Sequence, residues 1–152
     1  MVIRLLAVDP GEVFVGYAEF VGIECLNLDC GQPDDAIDIM WDRIKAGHYD
    51  QVVAEQWRNY GDENAWSECR TAEVNGALRH YCRRHQVSFV TQPARIMRPG
   101  LARAQHYGME FPVAAIQALP RLHRPHVRSA WIHGAWWLCQ QGLDRLERPG
   151  VG

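Results

Sequence analysis

An α/β domain built on a mixed sheet, with helices packed on its faces, is the fold class this sequence predicts. Three observations carry the expectation. Three apolar segments separated by turn residues open the chain, amphipathic and extended segments then alternate, and a long helical stretch closes the sequence. At 152 residues, 47% of them apolar, the chain has the length of one ordinary domain and can bury a substantial core without cross-links. A single domain over residues 1–147 is expected, followed by a loose tail at 148–152.

Residues 3–8 read as a buried strand, 14–20 as a second and 23–28 as a third. Asp9-Pro10-Gly11 and Val21-Gly22 mark the turns between them, so these strands should form an antiparallel meander. Over 34–45, Ala36, Ile37, Met40, Trp41 and Ile44 recur at helical spacing, and Gly47 ends the helix. Residues 51–54 form a short strand that runs into Glu55. A longer helix is predicted over 63–85 from the near-3.6 recurrence of Ala65, Trp66, Cys69, Ala72, Val74, Ala77, Leu78, Tyr81 and Cys82. Gly76 inside it points to a close packing contact. Residues 87–91 form the fifth strand, Pro93 opens an irregular basic connection, 111–118 is a weak helical segment, and 126–141 is the last helix.

Composition excludes several classes. Five cysteines (Cys25, Cys30, Cys69, Cys82 and Cys139) make an odd set with no CxxC pair, which fits reduced structural thiols better than a disulfide framework or a zinc ribbon. No stretch approaches the roughly 20 apolar residues of a membrane span, so a soluble cytoplasmic protein with no membrane partner is expected. Net charge is −2, but its distribution is uneven. Residues 1–78 carry 5 Lys and Arg against 15 Asp and Glu (net −10), and residues 79–152 carry 11 against 3 (net +8). A basic second half can track phosphates, although charges from both halves can also intermix on one surface.

Four features can carry chemistry. Asp9 ends the first strand and Glu55 ends the fourth; each can be an ordinary turn or strand terminus. If the two strands are parallel neighbours, however, both carboxylates lie side by side where open α/β sheets place ligands. Clustered carboxylates repel unless a cation lies between them, which suits a hard divalent ion, Mg²⁺ or Mn²⁺. On the last helix His126, Ser129 and His133 stand at i, i+3 and i+7, within about a 60° sector, so one face carries all three. Val127, Ala130, Trp131 and Leu138 supply its packing face. The stretch from Arg79 to Arg128 holds nine arginines against one acid, Glu110, and reads either as a phosphate-binding surface or as solvated basic surface. Arg79, Arg83, Arg84, Arg95, Arg98 and Arg103, with Arg58 near the second acid, are the candidate phosphate contacts.

These pieces come in the order found in RuvC-type Holliday junction resolvases, and the chain resembles that family, in the style of its compact bacteriophage members, from about residue 3 to residue 139. Asp9-Pro10-Gly11 with Gly16-Tyr17 looks like the family's first acid motif, and Val53-Ala54-Glu55-Gln56 like its second. Glu73-Val74-Asn75-Gly76-Ala77-Leu78 resembles the long helix behind it. Val87-Ser88-Phe89-Val90 with Pro93 resembles the next strand and its turn, and His126-Val127-Arg128-Ser129-Ala130 the last-helix motif. The resemblance implies a ribonuclease H-like fold with a mixed five-stranded sheet and a crossover junction endonuclease that cuts four-way DNA junctions as a homodimer. It also implies a cytoplasmic location, the host's if the protein is phage-encoded, and two Mg²⁺ or Mn²⁺ ions per site. Asp9 and Glu55 match metal-ligating acids and His126 a position that is acid or His. Ser129 departs from the family's Asp and supplies no charge. Either His133, four residues on, takes over as ligand, which is the favoured expectation, or the site works with fewer acids, or activity is reduced or lost. An RNA-directed nuclease of the same fold and a catalytically silent branched-DNA-binding scaffold are the competing readings. An actin-like kinase needs two such domains.

Overall fold

The computed structural model describes residues 2–56 and 70–142. Strands β1 (Arg4–Pro10), β2 (Val15–Val21) and β3 (Glu24–Gly31) open the chain. Helix α1 (Pro33–Lys45), strand β4 (Gln51–Glu55), helix α2 (Arg70–Arg84) and strand β5 (Ser88–Gln92) alternate after them. A 3-10 turn (Ala94–Ile96) leads into α3 (Met97–His106), and α4 (Val113–Gln117) and α5 (Arg124–Gln141) complete the described chain. The five strands form one mixed sheet in the order β3-β2-β1-β4-β5. The first three pair antiparallel, β4 runs parallel to β1, and β5 runs parallel to β4.

Strand alternation divides the apolar residues into two cores. Leu5 and Ala7 of β1, Ala18 and Phe20 of β2 and Val53 of β4 pack with residues of α3 and α5 on one face. Leu6 and Val8 of β1, Val15 and Tyr17 of β2 and Val52 and Ala54 of β4 pack with α1 and α2 on the other. A central strand buried on both faces reads as a continuous apolar run, which is why residues 5–8 and 52–54 lack polar interruption. By the same alternation Asp9 and Glu55 fall on the α5 face. At the opposite end of β1 and β4, Asp50 accepts from the Arg4 backbone N–H at 2.9 Å and pairs with its guanidinium, tying the two parallel strands where they begin.

Two expectations from sequence are corrected. The segment after Pro93 is helical: Pro99 and Gly100 read as breakers, but Pro99 occupies the first turn of α3, where a backbone N–H has no helical partner to lose. Gly100 lies against α5, where an added Cβ would stand 2.8 Å from Ile132 Cγ2. Gly76 makes no close contact, since a Cβ there would meet nothing within 4 Å. Among the described residues, the glycines that do permit close approach are Gly11, Gly16, Gly100 and Gly134. Of the helix predicted over 63–85, residues 70–84 are helical; 63–69 lie outside the described residues, as do Cys69 and the tail at 148–152. The last helix begins two residues before the expected start, with Pro125 in its first turn. Among the described residues, Cys25, Cys30 and Cys82 are free thiols, and no helix is long and apolar enough to cross a membrane.

Candidate active site

The parallel register of β1 and β4 runs from Leu5 opposite Gln51 to Val8 opposite Ala54, so the next residues, Asp9 and Glu55, emerge side by side at the C-terminal edge of the sheet. Helix α5 crosses above them. It can come this close because β2 carries Gly16 directly beneath its first turn. A Cβ on Gly16 would stand 2.4 Å from the His126 carbonyl carbon and 2.7 Å from the Val127 nitrogen, both backbone atoms. Gly11 has the imidazole of His126 over it in the same way, with a built Cβ 3.0 Å from Cε1.

This approach brings the three expected α5 residues onto the acids. His126 Nδ1 lies 3.0 Å from Asp9 Oδ2, the Ser129 hydroxyl donates to Glu55 Oε2 at 3.2 Å, and His133 Nε2 stands 3.8 Å from the same oxygen. Phe14 flanks the imidazoles of His123 and His126, with ring centroids 4.7 and 6.0 Å away. Burial pushes Glu55 up to about 7, and the neighbouring Asp9 charge adds to the effect. The hydrogen bond to Asp9 raises His126 above its ordinary value, against the opposing effect of burial. His133 is fully buried, and burial lowers it to about 4, so it is neutral near pH 7. Among the described residues, no three His, Cys, Asp or Glu side chains already converge as a metal cage. The donor chemistry nevertheless fits a hard cation at the acid pair, since the neighbouring Asp9 carboxylate disfavours ionisation of Glu55 and a divalent ion would offset that repulsion.

Sequence reading missed two residues behind this constellation. Gln92 ends β5 opposite Glu55 in the parallel register and is buried against His133; its signal is that it ends a strand as Asp9 and Glu55 do. Asn75 of α2 donates its side-chain N–H to the Glu55 backbone carbonyl at 3.0 Å, from the helix turn that also holds Gly76. The expectation of a separate packing stripe on α5 understates its burial. Residues Ser129 through Ala135 are all buried, because the helix lies between the sheet and α3.

The candidate DNA-binding arginines do not form one patch. Arg79, Arg83 and Arg84 are exposed on α2, on the α1 face of the sheet, and Arg79 stacks over the Phe89 ring. Arg95, Arg98 and Arg103 are exposed on the α5 face, where Arg98 and Arg128 line one groove between α3 and α5. Arg103 sits over the rings of Tyr107 and Trp136. Arg58 lies outside the described residues.

No protein-family model matches the chain. Nor does any curated protein sequence. Similarity appears in three dimensions. RuvC of Thermus thermophilus in complex with a Holliday junction substrate superimposes with a TM-score of 0.61 at 12% identity, over 93% of this chain and 98% of that one. A second Thermus thermophilus RuvC structure gives 0.58 at 14% identity, over the same shares of the two chains. Fowlpox virus resolvase, solved with Holliday junction DNA, gives 0.61 at 7% identity over 91% of this chain and 99% of that one. The chain has the ribonuclease H-like fold in the arrangement found in RuvC and the poxvirus resolvase.

Proposed function

We propose that this protein is a metal-dependent endonuclease that cuts branched DNA, resolving four-way junctions by paired nicks. One observation carries the reading. Asp9 and Glu55 stand side by side at the ends of parallel strands, beneath the His126–Ser129 turn of α5, in the fold of proteins solved with Holliday junction DNA. Asp9 and Glu55 would hold the divalent ions, two Mg²⁺ or Mn²⁺, and His126 is the remaining donor beside them. Bound there, such ions would activate a water for attack on the phosphodiester and stabilise the departing 3′ oxygen. His126, tied through Nδ1 to Asp9, keeps its other ring nitrogen for proton exchange at the edge of the site. The exposed arginines of α3 and α5 would hold phosphates without reading bases, so branch shape selects the substrate. Paired cuts across a two-fold symmetric junction call for two such sites, hence a homodimer.

The test is incubation with a labelled immobile four-way junction and its matched linear duplex in Mg²⁺, Mn²⁺ or EDTA, beside Asp9→Asn. Symmetric nicks in the junction that need both metal and Asp9 are expected. Ser129 favours a second reading, a branched-DNA-binding protein without cleavage, because its neutral hydroxyl already occupies a Glu55 oxygen where the resembled family has an acid. Tight junction binding with no cut strand in either metal would establish that reading instead.

A further inference from the structure

The contact of β5 with α5 behind Glu55 carries hydrogen-bond polarity that the nuclease reading leaves unused. The Gln92 side-chain nitrogen donates to the His133 backbone carbonyl at 2.9 Å and lies 3.1 Å from Nδ1 of the same residue. A carbonyl oxygen only accepts, so it fixes which end of the Gln92 amide faces α5: the NH₂ group. With one amide hydrogen on the carbonyl, the other faces Nδ1, which must accept it. A neutral imidazole that accepts at one nitrogen carries its proton on the other. The His133 proton therefore sits on Nε2. That atom is buried, has no hydrogen-bond partner among the described residues, and lies 3.8 Å from Glu55 Oε2.

We infer that His133 is a positioning residue, a neutral donor aimed at Glu55 with its tautomer set by Gln92, and that it is not a metal ligand. This rests on the nuclease reading only in giving Glu55 its task. A metal-bound imidazole presents a bare nitrogen to the ion and donates its remaining N–H to a carboxylate or carbonyl. Gln92 offers the opposite polarity. For His133 to ligate through Nε2, its proton would have to move to Nδ1 and face the Gln92 NH₂, donor against donor, with both side chains buried. Ser129 fits the same arrangement. Its hydroxyl and His133 Nε2, four residues apart on α5, approach one oxygen of Glu55, Oε2, and α5 leaves Oε1 unengaged. On this inference the last helix sets one hydrogen-bond donor on the second acid and aims another at it, where the resembled family places another carboxylate.

The experiment reads the proton directly. Protein with ¹⁵N-labelled histidines, the His133 signals assigned by their loss in His133→Gln, is measured by two-bond ¹H–¹⁵N correlation without metal and in saturating Mg²⁺. A protonated Nε2 and a bare Nδ1 are expected in both. A bare Nε2 with the proton on Nδ1 in Mg²⁺ would overturn the inference. Gln92→Glu then reverses the polarity. It should move the proton to Nδ1 and lower kcat on a four-way junction by roughly tenfold or more, with KM within about twofold. A folded Gln92→Glu that cuts as fast as wild type, or faster, would also overturn it, since a carboxylate is the partner a metal-bound histidine requires. If Gln92→Glu does not fold, or if the wild type cuts no junction and the nuclease reading fails, the wild-type spectra decide by the same criterion.

Discussion

Gly16 shows how far the site depends on a side chain that is not there. A methyl at this position would sit 2.4 to 2.7 Å from backbone atoms of His126 and Val127, which cannot move aside as a flexible side chain can. Gly16→Ala should therefore cost about 1–3 kcal/mol in urea unfolding and lift the first turn of α5 from Asp9. In the folded variant, the His126 ring should lose its hydrogen bond to Asp9, read as an altered His126 signal by NMR. Asp9→Asn should leave stability nearly unchanged and reduce single-turnover junction cleavage by roughly a hundredfold or more, since losing mere supporting partners of metal ligands already costs about 10–100-fold. Ser129→Asp places a third carboxylate beside Asp9 and Glu55. The metal-free variant should melt below the wild type, and Mg²⁺ should raise its Tm by more than it raises the wild-type Tm, because a bound cation offsets the added repulsion. Equal Mg²⁺ shifts in the two proteins would argue against an ion at this pair.

Two helical glycines make opposite predictions at the scale of elements. Gly134 of α5 lies on the sheet, where a Cβ would stand 2.4 Å from a Phe20 ring carbon and 3.1 Å from the Ala7 Cβ. Gly134→Ala should thus lower stability by about 1–3 kcal/mol. Gly76 of α2 has open space around it, so Gly76→Ala should raise stability by about 0.5–1 kcal/mol, read from the same urea midpoints. The beginnings of β1 and β4 carry a pH dependence. Hydrogen bonds from Arg4 hold the Asp50 carboxyl below its usual value near 3.8. Its contribution is therefore present above that value and is lost as pH falls through the lower folded value, and Asp50→Asn should flatten the stability profile only at the acid end. How legible each element was follows from its periodicity. The strands announce themselves because an apolar run bounded by turn residues has few other interpretations, and the two acids stand out as charges that end such runs. Helix α3 was hidden by Pro99 and Gly100, which local rules count as breakers although the first helical turn tolerates one and a tertiary contact needs the other. Gln92 escaped notice because an uncharged residue at a strand end carries no signal until the register sets it opposite Glu55. The burial of His133 was equally hidden, since a helix covered on most sides does not display one polar stripe.

Across the whole molecule, the arginines divide between the two faces of the sheet, and binding should divide with them. Arg98 and Arg128 share a groove on the face that carries the site, whereas Arg83 and Arg84 lie on α2 on the other face. Arg98→Ala and Arg128→Ala should each weaken junction binding uniformly across sequences and reduce the slope of log affinity against log salt by about 1. Fluorescence anisotropy over a salt series measures both. An unchanged slope in both variants would move the DNA path away from α3 and α5. The acids and the helix above them are also separated along the chain: Asp9 and Glu55 come early, while His126, Ser129 and His133 come after most of the other described elements. During synthesis the first two thirds of the chain thus hold both carboxylates but neither the imidazole beside Asp9 nor the donors beside Glu55. The α5 face of the sheet, with Ala7, Phe20 and Val53 on it, stays bare over the same interval. Assembly of the site and closure of that core are one event, so a ribosome-bound or prematurely ended chain carries both acids with no finished site around them.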